Sequence, residues 1–169
     1  QLSEDFEKRN IDKTYQAIVR GYTTDSGTID HALKEIAVFK HLQKAVELKK
    51  PQEATTYFET LEKYELPISD GRFPSSRYSL VSLKPTTGRK HQLRRHMKHI
   101  SHPIIGDVKY GKGSHNRLFQ KTFVSNRLLL AATKLSFTHP ASNEIISLIC
   151  PLEDSFSNTL EQLKKYSML

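Results

Sequence analysis

Between Thr87 and Tyr110 the chain concentrates side chains that can do chemistry. First comes Thr87-Gly88-Arg89-Lys90-His91-Gln92-Leu93-Arg94-Arg95-His96, then His102-Pro103-Ile104-Ile105-Gly106-Asp107, then Tyr110-Gly111. Residues 84–112 hold Lys84, Arg89, Lys90, Arg94, Arg95, Lys98, Lys109 and Lys112 against a single acid, Asp107. Guanidinium groups in such a run grip carboxylates or phosphates through two parallel hydrogen bonds and never lose their charge. Arg94 can therefore hold one particular anion, or it can be one of several cations facing phosphate. Arg89, Lys90, Arg95 and Lys98 read as phosphate contacts or as a solvated face. His91, His96, His99 and His102 lie in the same stretch. Zinc would need three or four converging ligands with few competing cations. Here lysines and arginines interrupt the set and no cysteine is near, so no metal is expected.

A second chemical element lies in Lys13-Thr14-Tyr15-Gln16-Ala17-Ile18-Val19-Arg20-Gly21. Tyr15 sits between polar neighbours on a predicted strand. By itself it reads as a half-buried strand tyrosine. A phenol can also transfer a proton, and its ring can stack on a planar base.

The elements that must position these groups follow from periodicity. Leu93, Met97 and Ile100 share one face of a helix predicted over 89–100, and His91, Arg94, Arg95 and Lys98 take the other side. Thr86 or Thr87 is its expected cap. Strands are predicted at Tyr15–Val19, closed by Gly21, and at Ala54–Leu61, Tyr78–Leu83, Leu128–Ala132, Leu135–Phe137 and Glu144–Ile149. Asp25-Ser26-Gly27 reads as a turn, as does the stretch His139–Asn143; a loop carries Gly71 and Pro74, and Gly106 and Gly111–Gly113 mark further turns. Leu2 and Phe6 place helix at 2–9, and Phe156, Leu160 and Leu163 place a final helix at 153–166. Residues 34–50 read either as an amphipathic helix or as a variable connection. Strands and helices that do not strictly alternate argue for an α+β fold with a mostly antiparallel sheet.

Composition sets the frame. With 169 residues the chain suffices for one domain, 1–169, with its own core. No apolar run approaches a membrane span, and the first residues are polar. Cys150 is the only cysteine, which precludes an internal disulfide and suits a reducing, cytoplasmic setting. The net charge of +8 is concentrated, since residues 1–12 carry four acids while 84–112 carry the cations. Such clustering points to a polyanionic partner, most simply nucleic acid, with a solvated basic surface as the other reading.

The run Gly88–Arg94 followed by His102–Asp107 resembles the GRxHQ(L/I)R…HPIxGD signature of the RluA-type pseudouridine synthases. Lys13–Gly21 resembles that family's KxYxAxVxG motif, in the same order. Arg127–Ala132 departs from the commoner RLxLHA pattern, with Ala131 in place of the histidine. The resemblance implies a pseudouridine synthase fold with a mixed, mostly antiparallel sheet flanked by helices. It implies isomerisation of uridine in RNA, with the T arm of tRNA as the expected target, without metal or cofactor. Tyr15 would line the flipped uracil and Arg94 would hold the catalytic aspartate ionised, while HPIxGD, with Asp107, would be a structural loop. The aspartate itself belongs to a motif resembling HRLDxxTSG that precedes KxYxA. No Arg-Leu-Asp and no Thr-Ser-Gly occurs in the chain. The expectation is thus the C-terminal portion of a catalytic domain, inactive alone. A non-catalytic RNA-binding module is the alternative. A DNA-binding helix module is not expected, because the strand-rich flanks do not resemble a helix-turn-helix.

Overall fold

The computed structural model describes residues 11–34 and 50–169. The helix read over 2–9 and nearly all of the ambiguous stretch 34–50 lie outside the described residues. Six strands, β1 (Ile11–Arg20), β2 (Ser26–Asp30), β3 (Thr55–Leu66), β4 (Ser76–Pro85), β5 (Leu130–Thr138) and β6 (Ile145–Ile149), form one sheet in the order β2-β3-β4-β1-β5-β6. Every pairing among them is antiparallel, in line with the mostly antiparallel sheet expected. Among the described residues three helices complete the order: α1 (Gln92–His99), α2 (Gly113–Phe123) and α3 (Asp154–Tyr166).

The alternation of β1 builds two cores, one on each face. Ala17 and Val19 face Val81, Leu83 and the Leu93–Met97 stripe of α1. Ile18 faces Tyr78, Leu80, Phe119 and Phe123 of α2 and Phe156 and Leu163 of α3. Successive strand residues point to opposite faces, so one strand at the centre of the sheet serves both.

Where the sequence reading differs, the cause is local. β3 runs on to Leu66, five residues past its expected end, because an irregularity between Thr60 and Glu62 inserts Leu61. The inserted residue reverses the alternation. Phe58 packs with one core and Tyr64 with the other, although both numbers are even. The expected strands at Leu128–Ala132 and Leu135–Phe137 are one strand, β5, continuous through Thr133 and Lys134. Ser26 and Gly27 lie within β2 instead of a turn. Gly27 passes against the Phe58 ring, where an added Cβ would come within 2.7 Å.

Helix α1 begins at Gln92, capped by His91 in the left-handed region with φ 56°, and no side chain caps it. Thr87 is not the cap. Its hydroxyl donates to Gln92 Oε1 at 2.7 Å and accepts the Thr55 amide at 3.1 Å. Helix α2 has no counterpart in the sequence reading, which leaves 114–127 unassigned. It opens on Gly-Ser-His-Asn, residues that favour caps and turns, and has no acid in its first turn. Packing of Leu118, Phe119 and Phe123 against the sheet supplies what propensity does not.

Candidate active site

Two segments remote in sequence meet at one end of β1 and β4. β1 delivers Lys13 and Tyr15, and α1 with its preceding turn delivers Arg89, Leu93 and Arg94. Together with Leu130 they line one cleft of about 200 Å³. The β1–β5 register shifts between Thr14 and Tyr15: Thr14 pairs with Lys134 but Tyr15 with Ala132. Such a bulge re-aims the side chains beside it, and here it sits at the residue that lines the cleft.

Arg94 is fixed by Asp107. Its Nε donates to Oδ2 and its Nη2 to Oδ1, both at 2.7 Å. The Asp107 side chain is fully buried and that of Arg94 is 19% exposed. Asp107 Oδ1 also accepts the amides of Lys109 and Tyr110, each at 2.9 Å. Burial alone would raise the Asp107 pKa, but Arg94 and these two amides outweigh it and hold the carboxyl below its ordinary value. The same bonds raise Arg94. Asp107 is thereby committed: both oxygens are used and neither faces the cleft as a nucleophile would. A guanidinium has five N–H donors. The fork spends two on Asp107, and three remain for another anion.

The Asp107 loop is held in turn by the fold. Ile105 N donates to Ile18 O at 2.9 Å, Leu129 N donates to Ile105 O at 2.9 Å, and Arg20 N donates to Pro103 O at 3.1 Å. Asn116 of α2 accepts the Gly106 amide at 2.9 Å and donates to Asp107 O at 3.1 Å. Gly106 has φ 79°, and any Cβ there would overlap the Arg127 carbonyl. Tyr110 closes the group: its ring centroid lies 5.1 Å from the Arg94 guanidinium and 5.9 Å from Lys98 Nζ, and its hydroxyl lies 3.2 Å from His91 Nδ1.

Beneath α1 runs a buried polar chain. Gln92 Oε1 accepts Thr87 Oγ1 and the Arg89 amide, while its Nε2 donates to Thr55 O and Thr56 Oγ1. The Thr56 hydroxyl then donates to His96 Nδ1 at 2.9 Å, and His96 Nε2 donates to His31 O at 3.0 Å, a tautomer assigned from the network. Burial lowers the His96 pKa; the bond to the His31 carbonyl opposes that, and the nearby His31, His99 and Arg95 add to it. These contacts give the histidines structural partners; His102 Nδ1 likewise donates to Arg20 O at 2.8 Å. Among the described residues no three of His, Cys, Asp or Glu converge as a metal site would require.

The structure therefore brings Tyr15, Arg89 and Arg94 to the cleft. Arg89 Nε also donates to Glu53 O at 3.0 Å, and Arg95 Nη1 to Lys34 O at 2.9 Å. Both cations thus have structural work. Lys90 and Lys98 are exposed. Sequence reasoning missed Gln92, His96 and Asn116 as positioning groups. A signal existed for two of them: Gln92 and His96 are four apart and adjoin Leu93 and Met97, so they widen the buried stripe.

A six-stranded antiparallel sheet whose central strand and basic helix share a cleft defines a class, and comparison identifies it. The family model for RNA pseudouridylate synthase matches residues 1–99. The chain belongs to the RNA pseudouridylate synthase family. It is 46% identical over 157 residues to the tRNA pseudouridine synthase C of Vibrio parahaemolyticus, covering 92% of this chain and 63% of that one. To the tRNA pseudouridine synthase C of Vibrio vulnificus it is 42% identical over 170 residues, covering 100% and 69%. The structure is similar to human RNA Pseudouridylate Synthase Domain Containing 4, with TM-score 0.68 and 26% identity over 97% of this chain and 66% of that one. The chain thus spans about two thirds of the length of these relatives.

Proposed function

We propose that this chain carries the uracil-binding and arginine-bearing part of a tRNA pseudouridine synthase that acts in the T arm. The observation that supports this reading is that Tyr15 and Arg94, from two separate motifs, line one cleft. The target uridine flips out of its helix, since an enzyme cannot reach a stacked base. Its uracil lies against Tyr15. An aspartate carboxylate, supplied by a motif outside this chain, attacks the ribose carbon as its bond to uracil N1 breaks; the uracil turns, its C5 displaces the carboxylate to form the carbon–carbon bond, and the C5 proton leaves while N1 gains one. Arg94 orients that carboxylate through the donors Asp107 leaves over, and the Tyr15 phenol serves as a base late in the reaction. Arg89, Lys90, Arg95 and Lys98 contact the RNA backbone. The bonds exchanged lie within one nucleotide, so the reaction consumes no group donor and no oxidant.

The second reading is an RNA-binding module without catalysis, favoured by the absence of Arg-Leu-Asp from the sequence. Tritium release from uridine-labelled tRNA separates the two. The chain alone is expected to release none above background. Joined to the segment of a relative that carries the aspartate motif, it is expected to turn over. A hybrid that folds, binds tRNA and releases no tritium makes the chain a binding module.

A further inference from the structure

A second polar pocket lies at the other end of β1 and β4, roughly 17 Å along β1 from Tyr15 at the usual rise per strand residue. It encloses about 330 Å³ and is lined by Arg20, Asp70, Phe73, Ser75, Arg77 and His115 among others. It lies on the α2 side of the sheet, because Arg20 follows Ile18 in the alternation and faces away from Tyr15.

His115 is 2% exposed. Its Nδ1 lies 2.9 Å from the Tyr78 hydroxyl. Its Nε2 is buried and makes no hydrogen bond among the described residues; Asp70 Oδ2 stands 3.5 Å away. A buried imidazole nitrogen with only this long contact to Asp70 is under-satisfied, and a ligand or water would complete it. Asp70 Oδ1 accepts the amides of Arg72 and Phe73, each at 2.9 Å, which fixes the carboxylate at the pocket wall. Among the described residues the Arg20 guanidinium enters no ion pair, whereas Arg77 is paired with Glu65 at 3.2 Å. At the rim the Phe73 ring is 52% exposed, with the Arg72 guanidinium 5.2 Å from its centroid.

A phosphate would suit Arg20 and His115 but not the fixed Asp70 carboxylate. A planar ligand with donors on one edge and acceptors on another suits all three, and a half-exposed ring beside them provides a stacking surface. Guanine alone among the RNA bases pairs ring and exocyclic N–H donors on one edge with O6 and N7 acceptors, and arginine is the commonest partner of those acceptors. We propose that the Arg20–Asp70–His115 pocket binds a guanine base. In the tRNA reading, on which this extension rests, it is a second point of contact with the RNA, reached around the strand ends, independent of the cleft.

Guanosine, adenosine and inorganic phosphate titrated into the protein, with the imidazole nitrogens of His115 followed by NMR, test this directly. Guanosine is expected to shift the His115 signals in the millimolar range, adenosine about tenfold more weakly as expected for one lost bidentate pair, and phosphate not at all. Asp70→Asn keeps an acceptor for the Arg72 and Phe73 amides, so its backbone spectrum should be retained while guanosine affinity falls about tenfold. Arg20→Gln should do the same. Equal response to adenosine, a response to phosphate alone, or no response to guanosine at about 10 mM would overturn the proposal. Filter binding of tRNA to the same variants keeps the two readings apart. Unchanged tRNA affinity in Asp70→Asn removes the RNA role of the pocket only, while a protein that binds guanosine but no tRNA refutes the tRNA reading and leaves the pocket.

Discussion

At the scale of residues, Arg94 and Asp107 form one unit. Removing one member of a buried, doubly bonded pair strands the other, a cost on the order of 3–5 kcal/mol. Asp107→Ala is therefore expected to lower unfolding stability by roughly that amount, whereas the neighbouring exposed Val108→Ala should stay within about 0.5 kcal/mol. Urea denaturation of both checks it, and equal effects would dissolve the pair's special status. The titrating groups add a pH dependence whose sign is fixed. His96 and His115 have pKa values lowered by burial. Below about 6.5 the unfolded chain thus binds more protons than the folded one. Stability from these groups is fully present above that pH and is lost as pH falls towards their folded values. Asp107, also lowered, adds a second loss only as pH falls below 3.8. Thermal melts between about pH 8 and 5 should show the first loss, and His96→Gln should reduce it. At this scale much was legible. The loop placement of Asp107 followed from resemblance, while the resemblance gave the Arg94 fork to a catalytic aspartate and not to Asp107. The bond between Arg94 and Asp107 was not legible, because it depends on where the chain folds 103–107 against β1.

At the scale of elements, the long periodic segments could be read and the locally ambiguous ones could not. β1, β4, α1 and α3 are found at the segments the sequence puts them in, although β1 begins four residues earlier and α1 three residues later than read. β3 was cut short because the Leu61 insertion changes which parity is buried, a shift that no fixed-period template registers. α2 was missed because its sequence opens like a turn and its helicity comes from packing. Yet α2 supplies Asn116, which holds the Gly106–Asp107 turn that holds Arg94. Gly106→Ala is therefore expected to be more damaging than a surface substitution, since the residue has positive φ and no room for a Cβ. Its loss should appear both in stability and in the bond geometry around Arg94. An alanine variant as stable as the parent would show that this turn can move, and that Arg94 is not locked by it.

At the scale of the whole molecule, charge and reaction can be separated. The cations of residues 84–112 give the protein an electrostatic footprint, and binding to tRNA should follow counterion release. If about four phosphates are engaged, affinity should fall roughly a hundredfold between about 50 and 200 mM salt; a flat response would leave the basic stretch as a solvated face. Lys98→Ala should weaken that binding modestly and leave the chemical step alone. The central claim is different: that Arg94 serves the reaction through a carboxylate and not the RNA backbone. The most direct measurement is the single-turnover rate of pseudouridine formation by the Arg94→Ala variant of the hybrid enzyme, at saturating enzyme and beside its tRNA affinity. A rate lowered by on the order of a hundredfold or more is expected, as for loss of a positioned electrostatic group, with affinity within a few-fold of the parent. Retained rate with lost affinity would contradict it and return Arg94 to the phosphate contacts.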